Sequence, residues 1–229
     1  MVKKLKNQGL CNEVYKIKKE EKDFILRVFK KTHSVNINRK QEFKIQKKAY
    51  NKGIASKPVY LSDKFMTCHF LKGVHKNKLS KKDIKTLAKS LQRLHKIKFN
   101  QKTNFLENEF KSYKTLLKDE KSKKIIKKSL KKLRKNNKKK DLVLCHNDLN
   151  KENIIFDNKA YFIDWEFASI NNRFFDLATL CIKYNFSKEE EKILLSSYFP
   201  FIKEKYYRTL KNYKVICKNF WKLWFKTNF

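Results

Sequence analysis

Residues 144–156 read Leu144-Cys145-His146-Asn147-Asp148-Leu149-Asn150-Lys151-Glu152-Asn153-Ile154-Ile155-Phe156. A polar loop carries a carboxylate at Asp148 and an amide five residues later at Asn153, and an apolar run of strand type closes it. After a short turn, Phe162-Ile163-Asp164-Trp165-Glu166 gives a second short strand that ends in a carboxylate. Two strands with polar residues at a hairpin mouth would explain the pattern alone. The spacing of the three groups asks for more. Phosphoryl transfer needs one carboxylate to orient the attacking hydroxyl, and an amide oxygen with a second carboxylate to hold Mg²⁺ on the phosphates of ATP. Asp148 fits the catalytic carboxylate, and Asn153 and Asp164 fit the metal ligands.

Upstream, Val14-Tyr15-Lys16-Ile17 and residues 24–29 flank a charged turn and read as a hairpin. Residues 38–52 place Phe43, Ile45, Ala49 and Tyr50 between charges and stop at Gly53, which predicts an amphipathic helix. Val59-Tyr60-Leu61 and residues 64–71 predict two more strands. From Ser80 the period changes. Ser80-Lys81-Lys82-Asp83 resembles a capping box, and Ile84, Leu87, Ala88, Leu91, Leu94 and His95 follow at helical spacing. Further helices are predicted over 108–117 and 122–134, then from about Asp176, Lys188, Lys203 and Tyr213. Residues 135–140 read as a loop. The chain therefore reads as α+β, with a β-rich part over residues 1–72 and a mainly helical part over 73–229.

Composition narrows the class. Three glycines and two prolines in 229 residues exclude a glycine-rich disordered chain or a turn-rich all-β fold. No apolar run approaches the roughly 18 residues of a membrane span, and the basic start Met1-Val2-Lys3-Lys4 lacks a signal peptide's apolar stretch. Cys11, Cys68, Cys145, Cys181 and Cys217 never form a CxxC pair and read as separate thiols, which predicts a reducing, cytoplasmic setting. The net charge of +36 would attract polyanions, but the lysines spread over nearly the whole chain, as a compositional bias does. Nothing in the sequence points to an oligomeric state.

With these residues in view, the chain resembles the choline kinase branch of the aminoglycoside phosphotransferase-like kinases, over nearly its whole length. The resemblance implies a bilobal protein-kinase-like fold, with ATP in a cleft between a nucleotide-binding lobe (1–72) and a catalytic, substrate-binding lobe (73–229). Gly9, Leu10, Cys11 and Asn12 resemble the family's nucleotide loop. Arg27 stands where choline kinases carry an arginine facing the phosphates, and Glu42 matches its ion-pair partner. Residues 66–71, including Cys68, His69 and Phe70, match the hinge behind adenine. His146 is implied to support the catalytic loop, and Asp176 to brace it.

The acceptor is read from the C-terminal helix. Trp221 and Trp224, at i and i+3, share one helix face. They serve either as a core pair or, as in choline kinases, as the aromatic wall that holds a quaternary ammonium. Glu166 is implied to be either a supporting carboxylate behind the site or a substrate-side one that would favour a cation, and Tyr184 to lie on the substrate side. Phe167 stands where a tyrosine is common, and Lys183 where the eukaryotic enzymes carry a glutamate. Facing the pocket, Lys183 would repel a cation; facing outward, it would be neutral. The expected reaction is transfer of the ATP γ-phosphate to an amino alcohol, choline first, with ethanolamine, thiamine or an aminoglycoside as alternatives. A nucleic-acid-binding protein on a kinase-like scaffold is the different-class alternative. The basic helix over 122–134 favours it, and the intact Asp148, Asn153 and Asp164 argue against it.

Overall fold

The computed structural model describes residues 2–5, 12–30, 37–101 and 105–228. Five strands come first: β1 (Val2–Lys4), β2 (Asn12–Lys19), β3 (Lys22–Phe29), β4 (Pro58–Leu61) and β5 (Phe65–His69). They form one antiparallel sheet in the order β1-β2-β3-β5-β4. The β2–β3 turn is only two residues long, Glu20-Glu21, both at positive φ. That geometry matches the twist of the flanking strands.

Helix α1 (Arg39–Asn51) enters through Asn38, whose side chain accepts from Gln41 N. It buries Glu42, Ile45, Gln46 and Ala49, so two polar side chains share its inner face with two apolar ones. Gly53, at φ +69°, ends the helix in a left-handed turn that favours glycine.

The remainder is mainly helical: α2 (Lys81–His95), α3 (Phe105–Leu116), α4 (Glu120–Asn136), α5 (Arg173–Lys183), α6 (Lys188–Tyr198) and α7 (Glu204–Asn228). The Ser80–Asp83 capping box forms as expected. Helix α2 turns Ile84, Leu87, Ala88, Leu91 and Leu94 fully inward and packs against α6, while α7 packs against α5, α4 and α3. On α4, Ile126 and Leu133 face the core and the lysines face solvent. Two short antiparallel pairs lie among these helices: β6 (Leu142–Cys145) with β9 (Ser169–Asn172), and β7 (Ile154–Phe156) with β8 (Ala160–Phe162).

The structure differs from the sequence reading in three elements, the first being β1 (Val2–Lys4), a short strand in the basic start that forms by pairing with β2. The helices expected from Lys203 and Tyr213 are a single helix of 25 residues, because no Gly or Pro interrupts residues 204–228 and one buried stripe runs through Leu210, Tyr213, Ile216, Phe220 and Leu223. The strand Ser169–Asn172 was not expected, since Ser and Asn are poor strand formers. Pairing with β6 makes it one. No helix among the described residues is long and apolar enough to cross a membrane.

Candidate active site

The loop after β6 is held from behind by a buried carboxylate. Asp176, in the first turn of α5, accepts the backbone N–H of His146 at Oδ2 (2.9 Å) and of Asn147 at Oδ1 (2.9 Å). His95 Nε2 lies 3.1 Å from the same Oδ2, and His95 Nδ1 lies 2.6 Å from the Tyr198 hydroxyl. Asp176 accepts only, so His95 is assigned as donating through Nε2–H and accepting from Tyr198. Burial lowers the pKa of His95 against the pull of Asp176, and burial also lowers that of His146.

Asn147 sits at φ +67°, a conformation that asparagine tolerates better than most residues. Its amide donates to Phe167 O and to Ser169 Oγ, and its oxygen accepts from Asn171. His146 Nε2–H donates to Ile163 O at 2.9 Å, one residue before Asp164. The loop and the end of β8 are thus tied together through buried groups, which fixes where the two carboxylates stand.

Asp148 accepts from Asn150 (2.5 Å) and from Asn153 (2.9 Å). Burial pushes its pKa up to about 6, and the ammonium of Lys183 opposes that rise. The Asn153 amide nitrogen donates to both the carboxylate and the main-chain oxygen of Asp148. Its carbonyl oxygen is therefore turned the other way, and Asn153 and Asp164 line the same cleft. Asp164 adopts a left-handed conformation (φ +63°, ψ 68°), which costs about 1–3 kcal/mol and is held by the surrounding structure. Its Oδ1 lies 2.5 Å from Arg27 Nη2. Burial raises the Asp164 pKa and Arg27 lowers it.

Arg27 on β3 pairs with Glu42 on α1, both buried, and burial of the guanidinium is outweighed by Glu42, Asp164 and Glu166, which keep it charged. Arg39 extends the network. Its Nη1 reaches Glu42 (2.8 Å) and Glu166 (3.0 Å), its Nη2 donates to Asn12, and its guanidinium lies over Phe29. Asn12 in turn donates to Glu166 (3.0 Å). Two guanidiniums here face the carboxylates of Glu42, Asp164 and Glu166, with Asp148 near enough to raise the pKa of Asp164. The excess of buried negative charge, with an outward amide oxygen, suits a divalent cation.

The cleft beside this network is about 580 Å³. Val14 and Ile25 line it from the sheet, Ile155 and Ile163 from the β7–β8 side, and these apolar surfaces suit a flat ring. Cys68, His69 and Phe70 line its edge. The His69 and Phe70 N–H groups are already bonded to Lys57 O and Asp23 O. Leu71 N–H is the next main-chain donor there without a partner among the described residues. Gly73, at φ +139°, lets the connection pass against β7, because a Cβ there would meet Phe156 O at 2.6 Å. Gly9, Leu10 and Cys11 lie outside the described residues.

A second cavity of about 580 Å³ opens between α1, α3, α7 and the loop after Asp164. Trp221 and Trp224 line it and meet edge to face with centroids 5.8 Å apart, and Phe167 meets Trp224 at 6.3 Å. Of the other two expected acceptor residues, Glu166 lines this cavity and Tyr184 does not. The Glu166 carboxylate borders this cavity but is engaged by Arg39, Asn12 and Arg27, because it closes the contact between α1 and the C-terminal part. Tyr184 does not line it at all. Its ring stacks on Phe186 and lies under Lys151, since the helix C-terminus turns it toward the other side of the catalytic loop.

Sequence reasoning missed Glu109 of α3, which lines the cavity and is bonded to the Tyr113 hydroxyl (2.9 Å). Burial raises its pKa, and it has no cationic partner among the described residues. In a chain with 58 basic residues that is a notable vacancy of charge, yet no one-dimensional pattern marks it. His95 was also missed as a network member, and Arg39 was read with Glu42 as the start of a helix but given no partner of its own. The i,i+3 spacing of Arg39 with Glu42 is the local trace of that pair.

A sequence profile described as choline/ethanolamine kinase matches residues 2–225. The chain belongs to the choline/ethanolamine kinase family. Protein LicA of Haemophilus influenzae is 39% identical over 98 residues, which span 38% of this chain and 29% of that protein. The alignment thus reaches under a third of that curated relative's length. The fold is that of the choline kinase LicA from Streptococcus pneumoniae (TM-score 0.80, 24% identity, covering 100% of this chain and 85% of that one). A Plasmodium vivax ethanolamine kinase is similar as well (TM-score 0.78, 25% identity, 97% and 75% covered). The family fold is bilobal and protein-kinase-like, as the sequence led us to expect.

Proposed function

We propose that this protein is an ATP- and Mg²⁺-dependent kinase that phosphorylates the hydroxyl of a small molecule, with choline the first acceptor to consider and ethanolamine next. The observation that carries this reading is the convergence of Asp148, Asn153 and Asp164 beside the buried Arg27–Glu42 pair. Residues 1–72 form the nucleotide lobe and 73–229 the catalytic lobe, with adenine between Val14 and Ile155 and phosphates toward Arg27.

Asn153 and Asp164 would hold Mg²⁺, which neutralises phosphate charge when bound. Asp148 orients the acceptor hydroxyl, whose oxygen bonds to the γ-phosphorus as the bond to the β–γ bridging oxygen breaks. ADP leaves, and the hydroxyl proton passes to Asp148. The acceptor's other end faces the aromatic wall of Trp221 and Trp224. Glu109, a carboxylate with no cationic partner among the described residues, favours a cationic acceptor in that cavity. Four buried cysteines, Cys68, Cys145, Cys181 and Cys217, carry no disulfide, which supports a cytoplasmic location.

The test is ATP consumption with choline, ethanolamine, thiamine and an aminoglycoside panel. Turnover with at least one acceptor, abolished in Asp148→Asn, is the expected result. Undiminished turnover in that variant would remove Asp148 from its role.

A further inference from the structure

The connection between α6 and α7 presents two neighbouring apolar side chains to solvent. Phe201 is 78% exposed, more than any other large apolar residue among those described, and Ile202 is 38% exposed. The packing on either side keeps them out. Phe199 is buried and stacks on Tyr206 with centroids 4.2 Å apart, and on Phe174 at 5.6 Å. The chain is thus clamped before and after residues 200–205, all of which are exposed. A single exposed phenylalanine is ordinary on a folded protein. Its surroundings here are not.

Arg173, the first residue of α5, donates to Lys140 O at 3.0 Å and pairs with Asp141, while the next residue, Phe174, packs on Phe199 and Tyr206. Farther along, Asn212 of α7 donates to Asn136 at the end of α4. These contacts lay residues 138–140 beside the start of α7. Lys138, Lys139, Lys140, Lys203 and Lys205 are all exposed, and among the described residues none has a carboxylate within ion-pair distance. Like charge, Lys140 foremost, lowers the pKa of Lys205. Asp141 is taken by Arg173, so Glu204 is the one carboxylate left to offset five ammoniums in these two segments.

We infer that the α6–α7 tip is a docking surface for an anionic lipid bilayer: Phe201 and Ile202 enter the headgroup region, and the five lysines meet the lipid phosphates. The chain is basic throughout, so charge by itself marks no surface. A clamped apolar tip among unpaired ammoniums from two distant segments does. A bilayer uses both parts, since its phosphates attract the lysines and its acyl boundary takes an aromatic and an aliphatic side chain alike. Single-stranded nucleic acid would use the lysines and stack on Phe201, but it offers nothing to Ile202. None of these residues lines either cavity, so docking leaves both open.

The test is co-sedimentation of the full-length chain with vesicles of phosphatidylcholine alone and of phosphatidylcholine mixed with phosphatidylglycerol. We expect binding to the anionic vesicles only. Phe201→Ser should weaken it about tenfold. The triple variant Lys139→Glu, Lys140→Glu and Lys205→Glu should weaken it about a hundredfold or more, at roughly fivefold per basic residue lost. A control triple, Lys81→Glu, Lys82→Glu and Lys85→Glu, makes the same change of net charge at the other end of α2 from Gln92 and His95, which contact Tyr198. It should weaken binding less than about threefold. Thermal melts check folding, and steady-state kinase kinetics without vesicles should stay near native in every variant. Equal losses in the two triple variants, or native vesicle binding by Phe201→Ser, overturn the lipid assignment. So does native vesicle binding by the tip variants alongside a loss of affinity for single-stranded RNA, which would give the surface to nucleic acid.

Discussion

Replacing Asp176 by asparagine tests how the catalytic loop is held. The aspartate supplies two acceptor oxygens to three donors: the His146 and Asn147 N–H groups at 2.9 Å and His95 Nε2 at 3.1 Å. Asparagine has one acceptor oxygen and one NH₂, so in either orientation an NH₂ faces a buried N–H. Keeping the oxygen at the Oδ2 position preserves two contacts and loses Asn147; the reverse flip loses two. The better flip gives up one charge-assisted hydrogen bond and leaves a buried donor unmade, for about 3 kcal/mol in total. Urea unfolding should show that loss, and kcat should fall more than the KM for ATP rises, because the displaced segment carries Asp148 and not the cleft walls. A stability change under about 1 kcal/mol with native kcat would refute the claim that Asp176 positions the loop.

Gly73→Ala should destabilise by roughly 2–4 kcal/mol and raise the KM for ATP, since a Cβ at φ +139° would press on Phe156 O in the cleft edge; chemical denaturation with ATP titration checks both. Glu109→Gln should raise the KM of a cationic acceptor about tenfold while leaving that of a neutral one near its native value, read in the same steady-state assay. Stability should fall between pH 7.5 and 5.5. Burial lowers the folded-state pKa of His95 and His146, so the unfolded chain binds more protons; the stabilisation is full above the unfolded value of about 6.5 and is lost progressively as pH falls below it toward the lowered folded-state values. Denaturant midpoints across that window should track this loss, and His95→Gln should flatten the slope; an unchanged slope would contradict the burial argument.

The sequence by itself determined the chemistry of the loop and most of the elements. Asp148, Asn153 and Asp164 are legible because they lie within 17 positions of one another, where strand periodicity fixes their geometry. The helices of the Ser80 box and of residues 38–52 are legible for the same local reason: a cap, a stripe of period 3.6 and a stop. Only the tertiary structure decided what surrounds that loop. Arg39 and Glu166 are 127 positions apart, and His95 and Asp176 are 81 apart. Neither pairing leaves a periodic trace. Glu166 was read as a supporting or substrate-side carboxylate; the fold places it at the wall of the second cavity and also bonds it to Arg39, Asn12 and Arg27, which its own stretch of sequence does not reveal. Tyr184 was read as lining the acceptor pocket and instead turns away at the end of α5, while Lys183, one residue earlier, is brought over Trp221 by the packing of α5 on α7. A one-residue step on a helix is about 100°, enough to exchange which side chain meets the ring. The direction of Lys183 was therefore fixed by how two helices pack, and no reading of either helix alone contains it.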